Sequence, residues 1–329
     1  MLLHLLLLAI PSHAAPRSSL GNIDFPDPSP AYDPHSQAWY AFATQGNGHH
    51  VQAARAPSAL GPWSFLSQTD LLPDLGPWVN AADPRVWAPD VQYLNASNSF
   101  VLYYSALARA SPRGRELHCV GAATSRSITG PYRPFDSPLI CPLSEGGAID
   151  AAGFYDQSDG SRWVLYKVDG NALAPGGPCG NAGPGPGKPT PIRLQRVDEA
   201  DGVTLIGRPV TVLDRDPRVD GPLVEAPSLV REEGLGGNRR FVLFYSSRCF
   251  NTVEYGVNYA VSEDIQGPYV RMSQLLGGRG PRGTLGLEAP GGATAVPGGG
   301  GLLFHADCPA GRCMHETRYV VEGGRIRIA

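Results

Sequence analysis

Charge is scarce in this chain of 329 residues. Asp, Glu, Lys and Arg make up 17% of it, and the formal net charge is −3. That excludes the basic surface through which a protein holds nucleic acid or an anionic membrane. Long apolar runs are missing as well. The one apolar stretch, residues 1–10, falls short of the ~20 residues that a membrane span needs. It is followed by Ser12-His13-Ala14, a small-x-small pattern, so residues 1–14 are expected to be a secretory signal peptide cut near Ala14 or Ala15. The Gly-rich stretch 291–301 lacks the Lys-Ser/Thr ending of a phosphate loop, which argues against nucleotide binding.

Turn formers and strand formers are plentiful instead. The chain has 41 Gly and 32 Pro, set between runs of Val, Tyr, Phe and Trp. Such a composition reads as short strands joined by turns. Six cysteines, Cys119, Cys141, Cys179, Cys249, Cys308 and Cys313, suit disulfides in a secreted chain. Six cysteines allow 15 pairings, of which the short Cys308–Cys313 staple is favoured by proximity. The same two cysteines with His305 and His315 also resemble a zinc cluster, but a secreted chain makes the disulfide the simpler reading. Asn95-Ala96-Ser97 is an N-glycosylation sequon, which fits that compartment. Residues 171–190 read as a long surface loop tied down through Cys179.

Internal repetition sets the fold. Strand-like runs start at Trp39, Phe100, Trp163, Phe241 and Leu302, which are 61, 63, 78 and 61 positions apart. A Gly-Pro-aromatic turn recurs in phase at Gly61-Pro62-Trp63, Gly130-Pro131-Tyr132 and Gly267-Pro268-Tyr269, with a degenerate copy near Gly207-Arg208-Pro209. Five units of about 60 residues with several short strands predict an all-β, five-bladed propeller in a single domain over residues 22–329. A two-sheet sandwich offers no reason for such a period.

An acid precedes each strand-like run: Asp27, Asp90, Asp150, Glu225 and Glu288. In a propeller, equivalent blade starts face one end of the axis, so carboxylates distant in sequence meet in one pocket. The plainer reading is a set of turn aspartates at strand starts. Glu225 stands out because Leu223-Val224 precede it and Ala226-Pro227 follow it. An apolar frame disfavours the charged carboxylate and raises its pKa.

Phe25-Pro26-Asp27-Pro28-Ser29, Trp87-Ala88-Pro89-Asp90, Ala148-Ile149-Asp150-Ala151 and Val224-Glu225-Ala226-Pro227-Ser228 occur in this order. Together they resemble glycoside hydrolase family 43, and the likeness runs over essentially the whole mature chain. The resemblance implies a five-bladed inverting glycosidase acting on arabinose- or xylose-containing plant cell-wall polysaccharides or oligosaccharides. By overall likeness, α-L-arabinofuranosidic linkages are the preferred ones. It makes Asp27 the general base, Glu225 the general acid and Asp150 the residue that orients Glu225 and raises its pKa. Trp87 and Asp90 are expected at the substrate, the first as an apolar face for a sugar ring or else as blade core. Arg312 matches an arginine beside the substrate in the last blade, although Cys313-Met314-His315 departs from the family's following residues. His305 is expected in the central channel, where relatives hold water or calcium. Calcium is thus the one ion suggested, with no cofactor required. The expected partner is a polysaccharide or oligosaccharide, with no nucleic acid and no membrane, and the chain is expected to be a monomer. Two alternatives stand beside this reading. One is a non-catalytic carbohydrate-binding propeller. The other is a retaining fructan-type hydrolase, for which the Asn-Asp-Pro-Asn-Gly signature is missing.

Overall fold

The computed structural model describes residues 18–235, 238–278 and 283–329; the expected signal segment 1–14 lies outside them. The described residues form twenty strands in five four-stranded antiparallel sheets, each a meander of consecutive strands. The innermost strands are β1 (Ser29–Asp33), β5 (Trp87–Leu94), β9 (Ala148–Tyr155), β13 (Val224–Leu235) and β17 (Gly291–Ala295). Each neighbours the next around the ring, and β17 returns to β1. This is the five-bladed propeller that the repeat predicted.

The strand-like runs seen in the sequence are the second strands: β2 (Ala38–Ala43), β6 (Ser99–Leu107), β10 (Arg162–Val168), β14 (Asn238–Ser247) and β18 (Gly301–Cys308). Each carries a continuous apolar run because both of its faces pack against neighbouring blades, which removes the alternation of a half-exposed strand. The apolar core divides accordingly into five clusters, one between each pair of adjacent blades. Phe42, Phe100, Phe244 and Phe304 are fully buried in them. Each buried ring contributes about 1.5–3 kcal/mol.

The N-terminal segment closes the ring. Ser19 and Phe25 donate backbone hydrogen bonds to Met314 and Arg312 of β19 (Gly311–Glu322). Phe25 also packs with Leu303 and Met314 in the cluster between the first and last blades. All six cysteines are paired, as Cys119–Cys141, Cys179–Cys249 and the expected Cys308–Cys313. The last bond takes up both thiols of the alternative zinc cluster. Cys179–Cys249 ties the long loop of the third blade to the fourth. The three Gly-Pro-aromatic turns sit in equivalent places, just before or within the outer part of a blade, and each Gly-Pro bond is cis.

Four blades start with the same irregularity. Between Trp87 and Asp90, Ile149 and Ala152, Glu225 and Ser228, and Gly291 and Thr294, the inner strand carries one more residue than its partner. The first extra residue has positive φ each time: Ala88 (41°), Asp150 (57°), Ala226 (50°) and Gly292 (56°). Asp27 (54°) holds the corresponding place in the first blade, where Thr44 donates its N–H to the Pro26 carbonyl. A bulge re-aims the residues on either side of it. Non-glycine residues in this region cost of order 1–3 kcal/mol each and persist where their surroundings hold them.

Candidate active site

The second strands hold these bulges in place across the ring. Opposite them stand Thr44, Ser105, Lys167, Ser246 and His305. Four of the five side chains accept the N–H of the bulged residue in the next blade. Ala88 donates to Thr44 Oγ1 at 2.9 Å, Asp150 to Ser105 Oγ at 3.0 Å, Gly292 to Ser246 Oγ at 3.0 Å and Asp27 to His305 Nδ1 at 3.0 Å. Lys167 breaks the series because an ammonium has no lone pair to offer. There, the Ala226 N–H donates instead to the Asp150 carboxylate, Oδ2, at 2.8 Å. The exception falls between Asp150 and Glu225.

Asp27 sits where the first and last blades meet. Thr44 Oγ1 donates to its Oδ2 at 2.6 Å, and Arg312 Nη1 lies 3.6 Å from its Oδ1. Burial alone would lift its pKa. The Arg312 guanidinium and the Thr44 hydroxyl oppose burial, and the carboxyl is held well below the usual carboxylate range. A backbone N–H can only donate, so His305 Nδ1 accepts from Asp27 and the neutral ring carries its proton on Nε2. Burial and the Arg312 charge push the His305 pKa down, which agrees with a neutral ring. Gly292 is required here, since a Cβ would lie 2.6 Å from the His305 ring and 2.7 Å from Asp27 Oδ1.

Asp150 and Glu225 form the opposite wall. Burial, followed by the charge of Glu225, pushes the Asp150 carboxyl up to about 8, against the pull of Lys167. Both Glu225 oxygens are engaged: Tyr255 donates its hydroxyl to Oε1 and Lys167 its ammonium to Oε2, each at 2.9 Å. Lys167 is 1% exposed and also meets Asp169 at 2.9 Å. Its pKa is raised, because Asp169, Glu225 and Asp150 more than offset its burial. The raised carboxyl is thus that of Asp150, while the buried cation faces Glu225 directly. Tyr255 stacks on His305 with ring centroids 5.9 Å apart, linking this wall to Asp27. The three acids thus meet at one mouth of the axis, and Asp27, Asp90, Asp150, Ala226 and Gly292 line the cavity there.

The profile of glycosyl hydrolases family 43 matches residues 70–296, more than half of the chain. The chain belongs to that family. The matched stretch carries Asp90, Asp150 and Glu225, while Asp27 and Arg312 lie outside it. A probable arabinan endo-1,5-alpha-L-arabinosidase C from Aspergillus terreus is 29% identical over 127 residues. That match spans 39% of this chain and 37% of the fungal relative. Among solved structures, a thermostable family-43 glycoside hydrolase aligns with TM-score 0.71 at 21% identity, covering 95% of this chain and 96% of the other. A family-43 endo-arabinanase from Bacillus licheniformis aligns with TM-score 0.64 at 20% identity, covering 94% and 99%. At these identities the likeness establishes the propeller fold.

The other expected positions of this family-43 protein divide. Arg312 joins the site, with its guanidinium 3.6 Å from Asp27 and 5.1 Å from the centroid of the exposed Phe250 ring. Asp90 lines the cavity, but its oxygens accept from Ser29, Gln92 and the Gly153 N–H at 2.5, 2.8 and 2.8 Å, so it braces three inner strands. Trp87 is half-buried with one face stacked on His118 at 3.8 Å. Glu288 does not join the others. Its side chain is exposed, and Gly291 holds the position that Glu225 holds in the fourth blade. The fifth blade brings His305 and Arg312 to the site instead of an acid.

His305 does not fit as a direct calcium ligand. Its buried Nε2 presents a proton rather than a lone pair, and calcium takes oxygen ligands. Among the described residues no group of three or more His, Cys, Asp or Glu is arranged to hold a metal ion.

Lys167, Tyr255 and Phe250 are site residues that sequence reasoning missed. Lys167 left a signal, being one of only two lysines in the chain and placed two residues before Asp169 at the end of an apolar strand. Period-two spacing puts both on one face. Tyr255 and Phe250 lie in a loop and left none.

Proposed function

We propose that this protein is a secreted, inverting glycosidase acting on arabinan- or xylan-type polysaccharides, with α-L-arabinofuranosidic linkages preferred. The observation that carries the reading is the opposed proton bias of two walls of one cavity. Asp27 is held ionised by Arg312 and Thr44, while Asp150 beside Glu225 is pushed up to about 8. An inverting glycosidase needs one ionised and one protonated carboxyl on opposite faces of the sugar. Asp27 is the general base: it takes a proton from water as the oxygen of that water bonds to the anomeric carbon. Glu225 is the general acid: its proton passes to the departing glycosidic oxygen as the old carbon–oxygen bond breaks. Asp150, raised by its burial and by the charge of Glu225, keeps a proton beside Glu225 at neutral pH. Lys167 and Tyr255 fix the Glu225 carboxyl in place. The arabinanase relative and the endo-arabinanase fold neighbour support the substrate class. Three disulfides support an oxidising, extracellular setting.

The test is digestion of linear and branched arabinan and of xylan, with product sizing and NMR of the fresh anomer. Release of pentose or pento-oligosaccharides with inverted configuration is expected. Retained configuration would overturn the mechanism, and no release from any of these polymers would overturn the substrate class.

A further inference from the structure

We propose that a groove beside the active-site mouth binds a uronic-acid sugar of the polysaccharide substrate; the proposal rests on the glycosidase reading above. The groove has a volume of about 760 Å³, within the range of small-ligand sites. Its walls include Asn80, Asp83, Arg109, Arg113, Arg115 and Glu116, from the segment before β5 and the loop after β6. This loop lies on the same face as the catalytic acids, because β6 runs back toward the mouth. Ser105, whose hydroxyl accepts the Asp150 N–H, is two residues before Leu107 on the groove wall, about 7 Å away at the rise of a strand. Leu107 in turn pairs with His118, the ring on which Trp87 stacks. The groove therefore lies beside the site on the same face of the propeller.

Its charge is unbalanced in a specific way. Both acids are already taken by Arg85, which lies behind them. Arg85 Nε donates to Asp83 at 2.8 Å, and its two terminal nitrogens donate to Glu116 at 2.6 and 3.1 Å. Arg109, Arg113 and Arg115 have no carboxylate partner among the described residues. Arg115 is anchored by a 3.3 Å bond to the Ala172 carbonyl, so the second-blade loop that carries the three cations is tied to the third blade. A neutral pentosan offers these three exposed guanidiniums no ionic partner. A guanidinium presents two parallel N–H groups that match a carboxylate, and the carboxylate available on a cell-wall polysaccharide is that of a uronic acid. Whether it belongs to the backbone or to a side branch, the recognising chemistry is the same.

The test titrates the intact protein with trigalacturonate (a backbone uronate), with a glucuronic-acid-branched xylo-oligosaccharide (a side-branch uronate) and with neutral arabinotriose and xylotriose. Calorimetry reads binding independently of turnover. At least one acidic sugar is expected to bind more tightly than its neutral counterpart, and to weaken with added salt as exposed charges are screened. In an Arg109→Ala/Arg113→Ala variant, with folding checked by its melting curve, that affinity is expected to fall roughly tenfold. The acidic sugar that responds identifies the source. If neither acidic sugar exceeds its neutral control, or the double variant binds both unchanged, the subsite does not exist. Arabinan and xylan hydrolysis by the unaltered protein is scored separately, so failure of the glycosidase reading is distinguishable from failure of the subsite.

Discussion

Asp27 and Asp150 hold the same place in two blades and have opposite proton affinities. Both are bulged residues, with φ of 54° and 57°, and both donate their N–H to a side chain of the preceding blade. They differ in what faces their carboxylates. Asp27 meets Arg312 and the Thr44 hydroxyl; Asp150 meets the charge of Glu225. The position of Thr44 is taken in the third blade by Lys167, which turns to Glu225 and Asp169. The repeat thus delivers two equivalent carboxyls to the axis, and the neighbouring blades decide which one keeps its proton. A propeller can make an acid wall and a base wall from one local motif in this way.

The largest effect should separate the two walls by rate. Asp27→Asn is expected to lower kcat on arabinan by about 10³–10⁴-fold at every pH, since its charge has no substitute. Asp150→Asn is expected to lower it less, by about 10²-fold, because Glu225 remains. Near-normal turnover by Asp27→Asn would remove the base wall from the mechanism.

A second comparison bears on the charge that tempers the acid wall. Activity should decline above about pH 8 as Asp150 gives up its proton. Lys167→Met removes the cation that opposes the rise at Asp150, so this basic limb should move to higher pH. The variant should also lose about 3–5 kcal/mol of stability, as Asp169 and Glu225 are left buried without their cation. A pH–rate profile with an unmoved basic limb would restrict Lys167 to packing.

The smallest effect is in thermal stability, and its sign differs between the walls. The folded pKa of Asp150 is raised, so the folded state holds more protons than the unfolded chain between about pH 3.8 and 8. Its contribution is greatest below 3.8 and is lost as pH rises through 8. The folded pKa of Asp27 is depressed, so its contribution is present above 3.8 and is lost as pH falls below that value. Asp150→Asn should therefore flatten Tm against pH between 4 and 8, and Asp27→Asn should flatten it below 4, each by a few degrees. Calorimetric scans across pH that show one common slope change would end the distinction.

Much of this was legible in the residues. The five second strands each carry a continuous apolar run, so their spacing revealed the blades. Asp27, Asp150 and Glu225 sit beside them in short, recognisable contexts. The acids were less in phase than they looked, however. Asp27 and Asp150 occupy the bulge, Glu225 stands one residue before it, Asp90 two residues after the equivalent Ala88, and Glu288 outside it altogether. A bulge adds a single residue, which spacing near 60 cannot resolve. Yet one residue turns a side chain to the other face of a strand.

By itself the sequence determined the repeat, the strand content and the short contexts that hold Asp27, Asp150 and Glu225, because these follow from local pattern and chain length. Only the tertiary structure decided where the proton resides. Arg312 and His305 come to Asp27, and Lys167 to Glu225, across blade boundaries, the first two from 285 and 278 residues away. Burial and charge act through space, so the proton affinity of each acid was settled only when the ring closed.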